Sequence, residues 1–178
     1  MTASTRALLS RAELAHARLL QSLSSAMTPV AVLWAITNEA IGVLALEDCV
    51  VYLREGEQLT QIAAFGPKMA APQLLESRIK LEFGQGIVGH CAQTGLSLRI
   101  DDTADDPRYL IDDHIRPAEL AVPILASDGR VLGVIDSEHS RRGHFTPTHQ
   151  QILEQIAAMA ALRLEQLQAA STPPPDSK

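Results

Sequence analysis

The chain has 178 residues, 46% of them hydrophobic, so it is long enough to bury the core of about one domain. Its net charge of −6 and the absence of a basic stripe argue against nonspecific binding to nucleic acid or to anionic membranes. No stretch has the pattern of a signal peptide or the roughly 20 apolar residues of a membrane span. Two distant cysteines, Cys49 and Cys91, fit free thiols in a reducing cytoplasm, where we expect this protein.

Two helices are predicted at the N-terminus. The first has apolar residues at spacings of three and four between Thr5 and Leu23, namely Leu8, Ala12, Ala15, Leu19 and Leu23. Because this apolar side needs a partner, we expect residues 1–24 to serve in dimerisation or signalling. Thr28-Pro29 is typical of an N-cap followed by proline in the first turn. The second helix that it opens is predicted to bury one face, made of Val30, Leu33, Trp34, Thr37, Ile41 and Leu44.

Several short strands are predicted next. Residues 47–54 and 59–65 flank Glu55-Gly56-Glu57 and are rich in β-forming residues, which indicates a hairpin. Residues 69–77 give a poor signal and are interpreted as a short surface helix. Residues 78–83 and 97–101 predict two further strands.

The string Gly84-Gln85-Gly86-Ile87-Val88-Gly89 opens a short helix that ends at Gly95. A GxGxxG string can let a pyrophosphate approach a helix N-terminus. The neighbouring elements, however, are predicted hairpins and not a parallel βαβ unit. We therefore favour glycines that turn the chain and pack close to the sheet.

The segment 102–117 is predicted to be a long polar connection between strands. It begins with the turn-forming residues 102–107, and connections of this kind often cover a pocket. Its acids do not have the spacing of a calcium-binding loop, so we expect a solvated loop.

The stretch 117–139 is the most informative in the chain. Two apolar runs, residues 120–126 and 131–135, flank Asp128-Gly129, which favours a hairpin with a two-residue type I′ turn. With that turn, Ser127 pairs with Arg130, Leu125 with Leu132, Ala121 with Asp136, and Glu119 with Glu138.

Strand alternation then assigns one face of this hairpin to Glu119, Ala121, Leu125, Leu132, Val134, Asp136 and Glu138. Three carboxylates would thus lie together at one end of an apolar surface. Like charges that face each other across strands cost on the order of 0.2–1 kcal/mol, so a cation or water should accompany them. A bulge at the turn would alter this arrangement.

A final helix is predicted from Thr146, as N-cap, and Pro147. Its apolar face comprises Ile152, Leu153, Ile156, Ala160 and Leu164. The proline-rich residues 169–178 are expected to be a disordered tail or linker.

The order of these pieces over residues 25–168 resembles a GAF domain. The matching segments are DCVVYLREGEQLTQIAAFG, FGQGIVGHCAQTG, LRIDDTADDPRY, AELAVPI, GRVLGVIDSEH and FTPTHQQILEQIAAMAA. The resemblance implies an α+β fold of the GAF/PAS type, a six-stranded antiparallel sheet with helices on both sides and the terminal helices packed together. It also implies a homodimer formed through those helices, a ligand pocket under the 102–117 loop, and signalling to an output domain or partner protein.

One enzymatic branch, the free methionine-(R)-sulfoxide reductases, is similar in its substrate-binding acids. Glu119, Asp136 and Glu138 occupy the corresponding positions. The resemblance places Asp112 and Val88 at the two positions where that branch has its reactive cysteines. Neither side chain can attack sulfur. Cys91 lies one helical turn from Val88 and is the alternative thiol, although a buried apolar role is favoured.

Other specialities of the family lack support. The N-K-x-F-x-x-x-D-E pattern of cyclic-nucleotide-binding members does not occur, and His90-Cys91 reverses the order of a bilin-binding pair. His114 is the best-placed haem ligand but is interpreted as solvated. Three histidines lie near the start of the last helix, namely His139, His144 and His149, and they lack the spacing of a zinc site. We therefore predict that the protein binds neither a metal nor a cofactor.

The leading hypothesis is therefore a noncatalytic sensory domain that binds a small polar ligand, for which we expect an amine or a cation. Glu119, Asp136 and Glu138 would accept its hydrogen bonds, Arg108, Arg116 and His114 would hold anionic parts, and Tyr52, Phe65 and Tyr109 would form apolar walls. Asp112, on the same loop, completes the candidate site. The alternatives are a dimerisation module without a ligand and a thiol-dependent reductase.

Overall fold

A six-stranded antiparallel sheet forms the centre of the computed structural model, which describes residues 2–41, 44, 46–75, 78–111 and 115–171. The strands lie in the order β5-β2-β1-β8-β7-β6. Their bounds are β1 Asp48–Glu55, β2 Gln58–Phe65, β5 Lys80–Glu82, β6 Leu98–Ile100, β7 Ala118–Leu125 and β8 Val131–His139. A separate small hairpin consists of β3 Met69–Ala71 and β4 Leu74–Leu75. The predicted sheet is confirmed.

Helices cover both faces of this sheet. The α-helices are α1 Ala3–Ser25, α2 Pro29–Ala35, α3 Gly86–Thr94 and α4 Pro147–Ser171, and shorter helical segments lie at Ile36–Ile41 and Thr103–Asp105. α1, α2 and α4 share one apolar core with the sheet, and α3 packs in a second core on the opposite face. The α+β architecture is thus confirmed. Within the described residues, no helix has the length and apolarity that crossing a bilayer would need.

The apolar side of α1 packs within its own subunit. Ala12, Ala15, Leu19 and Leu23 are buried as predicted, in the core that also contains α4. At the end of α1, the guanidinium of Arg163 in α4 donates to the Ala26 carbonyl at 2.8 and 3.0 Å. α4 continues to Ser171, and residues 172–178 of the expected tail lie outside the described residues.

The second helix departs from the predicted regular pattern. Thr28 caps α2, as its hydroxyl accepts a hydrogen bond from the Ala31 amide. From Ile36 to Ile41 the chain widens into a π-helix, and the buried Thr37 hydroxyl donates to the Trp34 carbonyl. The assignment of Val30 to the buried face is wrong: this first-turn residue is 45% exposed at the rim of a groove.

The segment after β2 is a β-hairpin and not the surface helix predicted for residues 69–77. β3 and β4 pair across a turn in which Gln73 has a φ of 59°. This left-handed conformation reverses the chain and is incompatible with a helix. Residues 76 and 77 lie outside the described residues.

The glycines of residues 84–89 act in packing, as favoured above. Gly84 and Gly86 have φ angles of 83° and 70°, which turn the chain into α3. A side chain at Gly89 would collide with the Glu82 carbonyl oxygen, so glycine permits α3 to approach β5. Gly95 ends α3 in the left-handed conformation.

The β7–β8 hairpin has the predicted register at the acids and a different turn. Its loop has three residues, 127–129, because Ala126 pairs with Arg130 and the Ala126 carbonyl accepts from the Gly129 amide. This shifts the register by one, so Leu125 pairs with Val131 and not with Leu132. A bulge directly beyond Leu125 restores the predicted register.

The two irregularities therefore cancel before the acids are reached. Glu119 faces Glu138, and Ala121 faces Asp136. Between the irregularities the predicted face assignment fails, since Leu132 packs into the core shared with the helices and Leu125 is 39% exposed.

Gly133 allows the sheet to close at this bulge. An added methyl group would collide with the carbonyl oxygen of Tyr52 in β1. We predict that Gly133→Ala lowers the free energy of unfolding by about 3 kcal/mol, near the upper end for overpacking. Gly143→Ala is the control: it has a positive φ but open space around it, and should cost about 1 kcal/mol. Urea denaturation of both variants measures the difference, and equal losses would contradict the close approach of β1 and β8.

Candidate functional site

Four acidic side chains converge at one end of the sheet. Glu119 on β7 and Asp136 and Glu138 on β8 point to the face that α3 covers, and each is at most 5% exposed. Asp48, the first residue of β1, pairs with Glu138 and is completely buried. Acids are rarely buried in this way unless basic groups, protons or ligands compensate them.

A small cavity of about 40 Å³ adjoins three of these acids. Its volume exceeds that of a single water-sized probe and suits the polar end of a ligand. One side of it is acidic and the others are mainly apolar. The lining residues are Tyr52, Ile79, Leu81, Gly86, Ile87, Val88, Leu110, Glu119, Asp136 and Glu138.

Two basic side chains partly compensate the acids. The ammonium of Lys68, itself 7% exposed, lies 3.0 Å from Glu138 and 3.8 Å from Asp48. The guanidinium of Arg116 lies 3.6 Å from Asp48 and 3.9 Å from Glu47. Among the described residues at the cavity, carboxyl groups therefore outnumber basic groups.

The environment of Glu119 strongly favours its protonated form. Burial, then the neighbouring charges of Asp136 and Glu138, raise the pKa of Glu119 well above its ordinary value of 4.5. A hydrogen bond with Asp136 acts in the same direction. Glu119 therefore keeps a proton at pH values where an exposed glutamate is ionised.

Tyr109 joins the covering loop to the acids. Its hydroxyl lies 3.4 Å from a Glu138 carboxylate oxygen and accepts a hydrogen bond of 2.9 Å from the Arg116 amide. Sequence reasoning assigned it to an apolar wall, whereas the structure gives it a polar contact that links both ends of the loop to β8. Beside it, Leu110 lies over Gly86 at the cavity.

The other predicted site residues divide into four groups. Tyr52 lines the cavity as expected. Arg108 is paired with Asp106 through two hydrogen bonds, and Arg116 with Asp48 and Glu47, so neither basic group points freely into the cavity. Phe65 does not line the cavity. It pairs with Cys49, and both side chains pack in the core on the helical face of the sheet. Asp112 and His114 lie outside the described residues.

Sequence reasoning missed Asp48 and Lys68. Asp48 has the same strand parity as Tyr52, which was already assigned to the pocket, so alternation along β1 could have revealed it. Lys68 is the only charged residue in the segment AAFGPKMAAP, which is an unusual setting for lysine. Its contact with Glu138 joins residues 70 positions apart and could not be read from local patterns.

Both thiols are poor nucleophiles. Cys91 is fully buried, and burial together with the charges of Asp136 and Glu119 raises the pKa of its thiol. Cys49 is buried on the helical face, and burial raises its pKa as well. Val88 occupies the cavity wall where the resemblance to the reductases would require a thiolate.

Three histidines form a separate cluster near the start of α4. The rings of His139 and His144 stack with centroids 3.4 Å apart, and His149 lies 5.2 Å from His144. Partial burial, followed by repulsion from His139 and His149, lowers the pKa of His144 to about 4. In the part of the chain that the structure describes, no group of His, Cys, Asp and Glu side chains has the arrangement of a metal site.

Comparison with known proteins agrees with this architecture. The family model described as "GAF domain" matches residues 28–164. The chain belongs to the GAF domain family. Yeast (Saccharomyces cerevisiae) free methionine-R-sulfoxide reductase is 30% identical over 79 residues, which are 44% of either chain. The matched segments of the curated relatives span about half of those proteins.

Solved GAF structures share the fold. The free methionine-R-sulfoxide reductase of Neisseria meningitidis, solved with its substrate, superimposes with a TM-score of 0.75 at 22% identity, covering 89% of this chain and 93% of that one. The GAF domain of a phosphoenolpyruvate-protein phosphotransferase from Coxiella burnetii gives 0.76 at 16% identity, covering 93% and 97%. A reductase and the GAF domain of a phosphotransferase are thus similar to this chain in fold.

The protonation of Glu119 generates a prediction about stability. Because its native pKa is raised, the native state keeps a proton that the unfolded chain loses above pH 4.5. The free energy of unfolding therefore falls as the pH rises from 4.5 through the native pKa, by about 1.4 kcal/mol for each unit of pKa elevation. Glu119→Gln removes this loss, so the variant should gain stability relative to the wild type between pH 4.5 and pH 7.5.

Urea denaturation across this range measures the effect. The histidines titrate equally in both proteins and cancel in the difference. Glu57→Gln, at an exposed carboxylate, is the matched control and should show a flat difference. A flat difference for Glu119→Gln as well would mean that Glu119 is ionised like a surface glutamate.

Proposed function

We propose that this GAF domain is a noncatalytic receptor for a small polar ligand that carries a protonated amine. The observation that carries the proposal is that, among the residues the structure describes, buried carboxyl groups outnumber basic groups beside a cavity with apolar walls. An ammonium group supplies both the positive charge and the N–H donors that such acceptors need. The ligand would lie between the sheet and the 102–117 loop.

The size of the cavity limits how the ligand enters. About 40 Å³ accommodates an ammonium group but not a whole amino acid. Leu110, which contacts Gly86 and is 48% exposed, is the side chain whose displacement would enlarge the cavity. Binding would therefore shift the loop that Tyr109 attaches to Glu138.

A series of polar contacts supports transmission from the cavity to the terminal helices. Glu138 contacts Lys68, Lys68 contacts Asp48, and Asp48 contacts Arg116. The series continues from Arg116 to Glu47 and from Glu47 to His139, whose ring stacks on His144 next to the start of α4. A cationic ligand that pairs with Glu138 would weaken the contact of Glu138 with Lys68. The change would then pass along this series to the contacts at the start of α4.

The similarity to methionine-R-sulfoxide reductases also suggests candidate ligands. Free methionine-R-sulfoxide has an amino acid ammonium group, and it is the compound named for the yeast and Neisseria proteins. We propose binding without turnover, because Val88 stands at the cavity and Cys91 is a buried thiol with a raised pKa.

A thermal-shift screen of amino acids and primary amines, including free methionine-R-sulfoxide, tests the receptor. A ligand at 100 times its Kd stabilises by about 2.7 kcal/mol, which raises Tm by roughly 5 °C or more in a domain of this size. Glu119→Gln should abolish the shift, and Glu57→Gln should retain it. No stabiliser for the wild type, or turnover of methionine-R-sulfoxide with dithiothreitol that depends on Cys91, would refute the noncatalytic receptor.

We infer that dimerisation through α1 is a second function, supported by one exposed stripe. Leu9 and Leu20 are 39% and 60% exposed, and Glu13 and half-buried His16 lie between them. These four residues fall within about 60° of each other around a helix. Antiparallel pairing of two α1 helices would match Leu9 with the partner's Leu20 and Glu13 with the partner's His16. Such a two-fold contact is self-complementary.

Sedimentation velocity tests the pairing with single substitutions, which is preferable to removing α1, because its other face is part of the core. Leu20→Glu should give monomers, whereas Leu14→Glu, on another side of α1 and 48% exposed, should leave dimers. Glu13→Lys should weaken the dimer, and Glu13→Lys combined with His16→Glu should restore it. A monomeric wild type would rule out this role.

A further inference from the structure

Three imidazole rings meet where β8 leads into α4. His139 is the last residue of β8, His144 lies in the connecting loop, and His149 is in the first turn of α4. The rings of His139 and His144 stack with an interplanar angle of 7°. All three rings stand nearly perpendicular to the ring of the buried Phe145, at 82–88°. Histidine rings thus form part of the packing around the residue that leads into α4.

Each of these rings uses its Nδ1 atom to accept a hydrogen bond. The Arg141 amide donates to His139 Nδ1 at 2.9 Å, and the Arg141 guanidinium donates to His144 Nδ1 at 3.1 Å. The Thr146 amide donates to His149 Nδ1 at 3.1 Å. Amide and guanidinium N–H groups can only donate, so each Nδ1 atom must be without a proton. The hydrogen bonds therefore require three neutral rings that carry their proton on Nε2.

His149 has a further role as part of the helix cap. Its backbone amide donates to Thr146 Oγ1 at 3.4 Å while its ring accepts from the Thr146 amide, which is the reciprocal arrangement of a capping box. Glutamate or glutamine usually supplies the side-chain acceptor of this motif. With histidine in that place, the acceptor is lost when Nδ1 gains a proton. The resulting positive charge would also lie at the N-terminus of α4, where the helix dipole disfavours it.

Charged groups from several elements surround the three rings. The Nε2 atom of His139 lies 3.2 Å from Glu47, which precedes β1, and Arg116 of the 102–117 loop lies 3.9 Å from the same carboxylate. Arg141, in the loop before α4, contacts His144. Neighbouring charges that are paired with each other are Arg99 with Asp101 and Arg142 with Asp102. Glu47 therefore favours a proton on His139, whereas Arg116 and Arg141 oppose protonation of the cluster.

These surroundings keep the rings neutral in the folded protein. Partial burial is the largest cause that lowers the pKa of each ring, and repulsion from neighbouring positive groups adds to it. The pKa of His144 falls to about 4, from an ordinary value of 6.5. A ring released to solvent regains its ordinary pKa, so protons favour release as the pH falls from 6.5 toward the native value.

We propose that the junction between β8 and α4 is a proton-sensitive switch, in which acidification releases His139, His144 and His149 and opens the first turn of α4. Each released ring takes one proton from solvent at Nδ1 and gives up the hydrogen bond that this atom accepted. No covalent bond between heavy atoms changes. The inference goes beyond the receptor function and holds whether or not the cavity binds a ligand, because it depends on a cluster outside the cavity.

Native-state hydrogen exchange of the full chain at pH 7.5 and pH 5.5 tests the switch. The Gln150 amide, which donates to the Thr146 carbonyl, reports opening of the first turn. After correction for the intrinsic exchange rate, its opening constant should rise about tenfold between these pH values for each histidine released. The amide of Ile135, in the buried part of β8, reports unfolding of the whole domain. At pH 5.5 the opening constant at Gln150 should exceed that at Ile135 at least tenfold.

A double variant removes the protons and keeps the packing. His144→Phe retains an aromatic ring in the stack, and His149→Gln retains an acceptor for the capping box. Together these substitutions should reduce the rise in the opening constant at least tenfold. The matched control, His90→Gln on α3, should leave the rise unchanged.

Nitrogen-15 NMR of the histidine rings adds a measurement that needs no variant. At pH 7.5 the three rings should have a protonated Nε2 and an unprotonated Nδ1. An Nδ1–H form of His144 or His149, an opening constant at Gln150 that does not change with pH, or equal opening constants at Gln150 and Ile135 would each overturn the switch. A rise that persists in full in the double variant would do the same.

Discussion

The burial of like charges at one end of the sheet is the constraint on which the rest of the structure depends. Asp48, Glu119, Asp136 and Glu138 are brought together by the pairing of β1, β8 and β7, which also forms the centre of the core. Well-packed hydrophobic residues of similar volume often stabilise a fold as well as buried charges do, and they would relieve the repulsion here. The sheet instead retains the acids and surrounds them with Lys68, Arg116 and a cavity, an arrangement more useful for binding than for stability.

Much of the fold could be predicted from local patterns, and the failures have physical causes. Alternation and helical periodicity located α1, α4 and the main strands. The register of the acids was predicted correctly although the turn was not, since the three-residue loop at Gly129 and the bulge beside Leu125 offset each other. Between these two irregularities the register is shifted by one residue, and Leu132 therefore packs on the helical face and not on the predicted face. The hairpin β3–β4 was missed because it depends on the left-handed conformation of Gln73, for which the sequence gives only a weak signal.

The candidate site was predictable where it depended on strand parity and unpredictable where it depended on long-range contacts. Glu119, Asp136 and Glu138 followed from the hairpin, and Asp48 could have followed from Tyr52. Lys68 could not, because the loop that carries it reaches Glu138 only in the folded protein. The GAF resemblance predicted that the 102–117 loop covers the pocket. The polar contact of Tyr109 and the pairing of Arg108 with Asp106 depend on the detailed conformation of that loop and could not be predicted. A reductase and a phosphotransferase domain share this fold, so fold alone does not define the chemistry. The side chains at the cavity, among them Val88 and the buried acids, decide which chemistry this chain can perform.

The most direct test of the account is a crystal structure of the protein grown with a primary amine identified by screening. We predict electron density for the ammonium group between Glu119 and Asp136, within hydrogen-bond distance of both, with Leu110 moved away from Gly86. A cavity that stays closed, with Leu110 in place and the amine bound elsewhere or not at all, would contradict the proposal that the buried acids form a receptor.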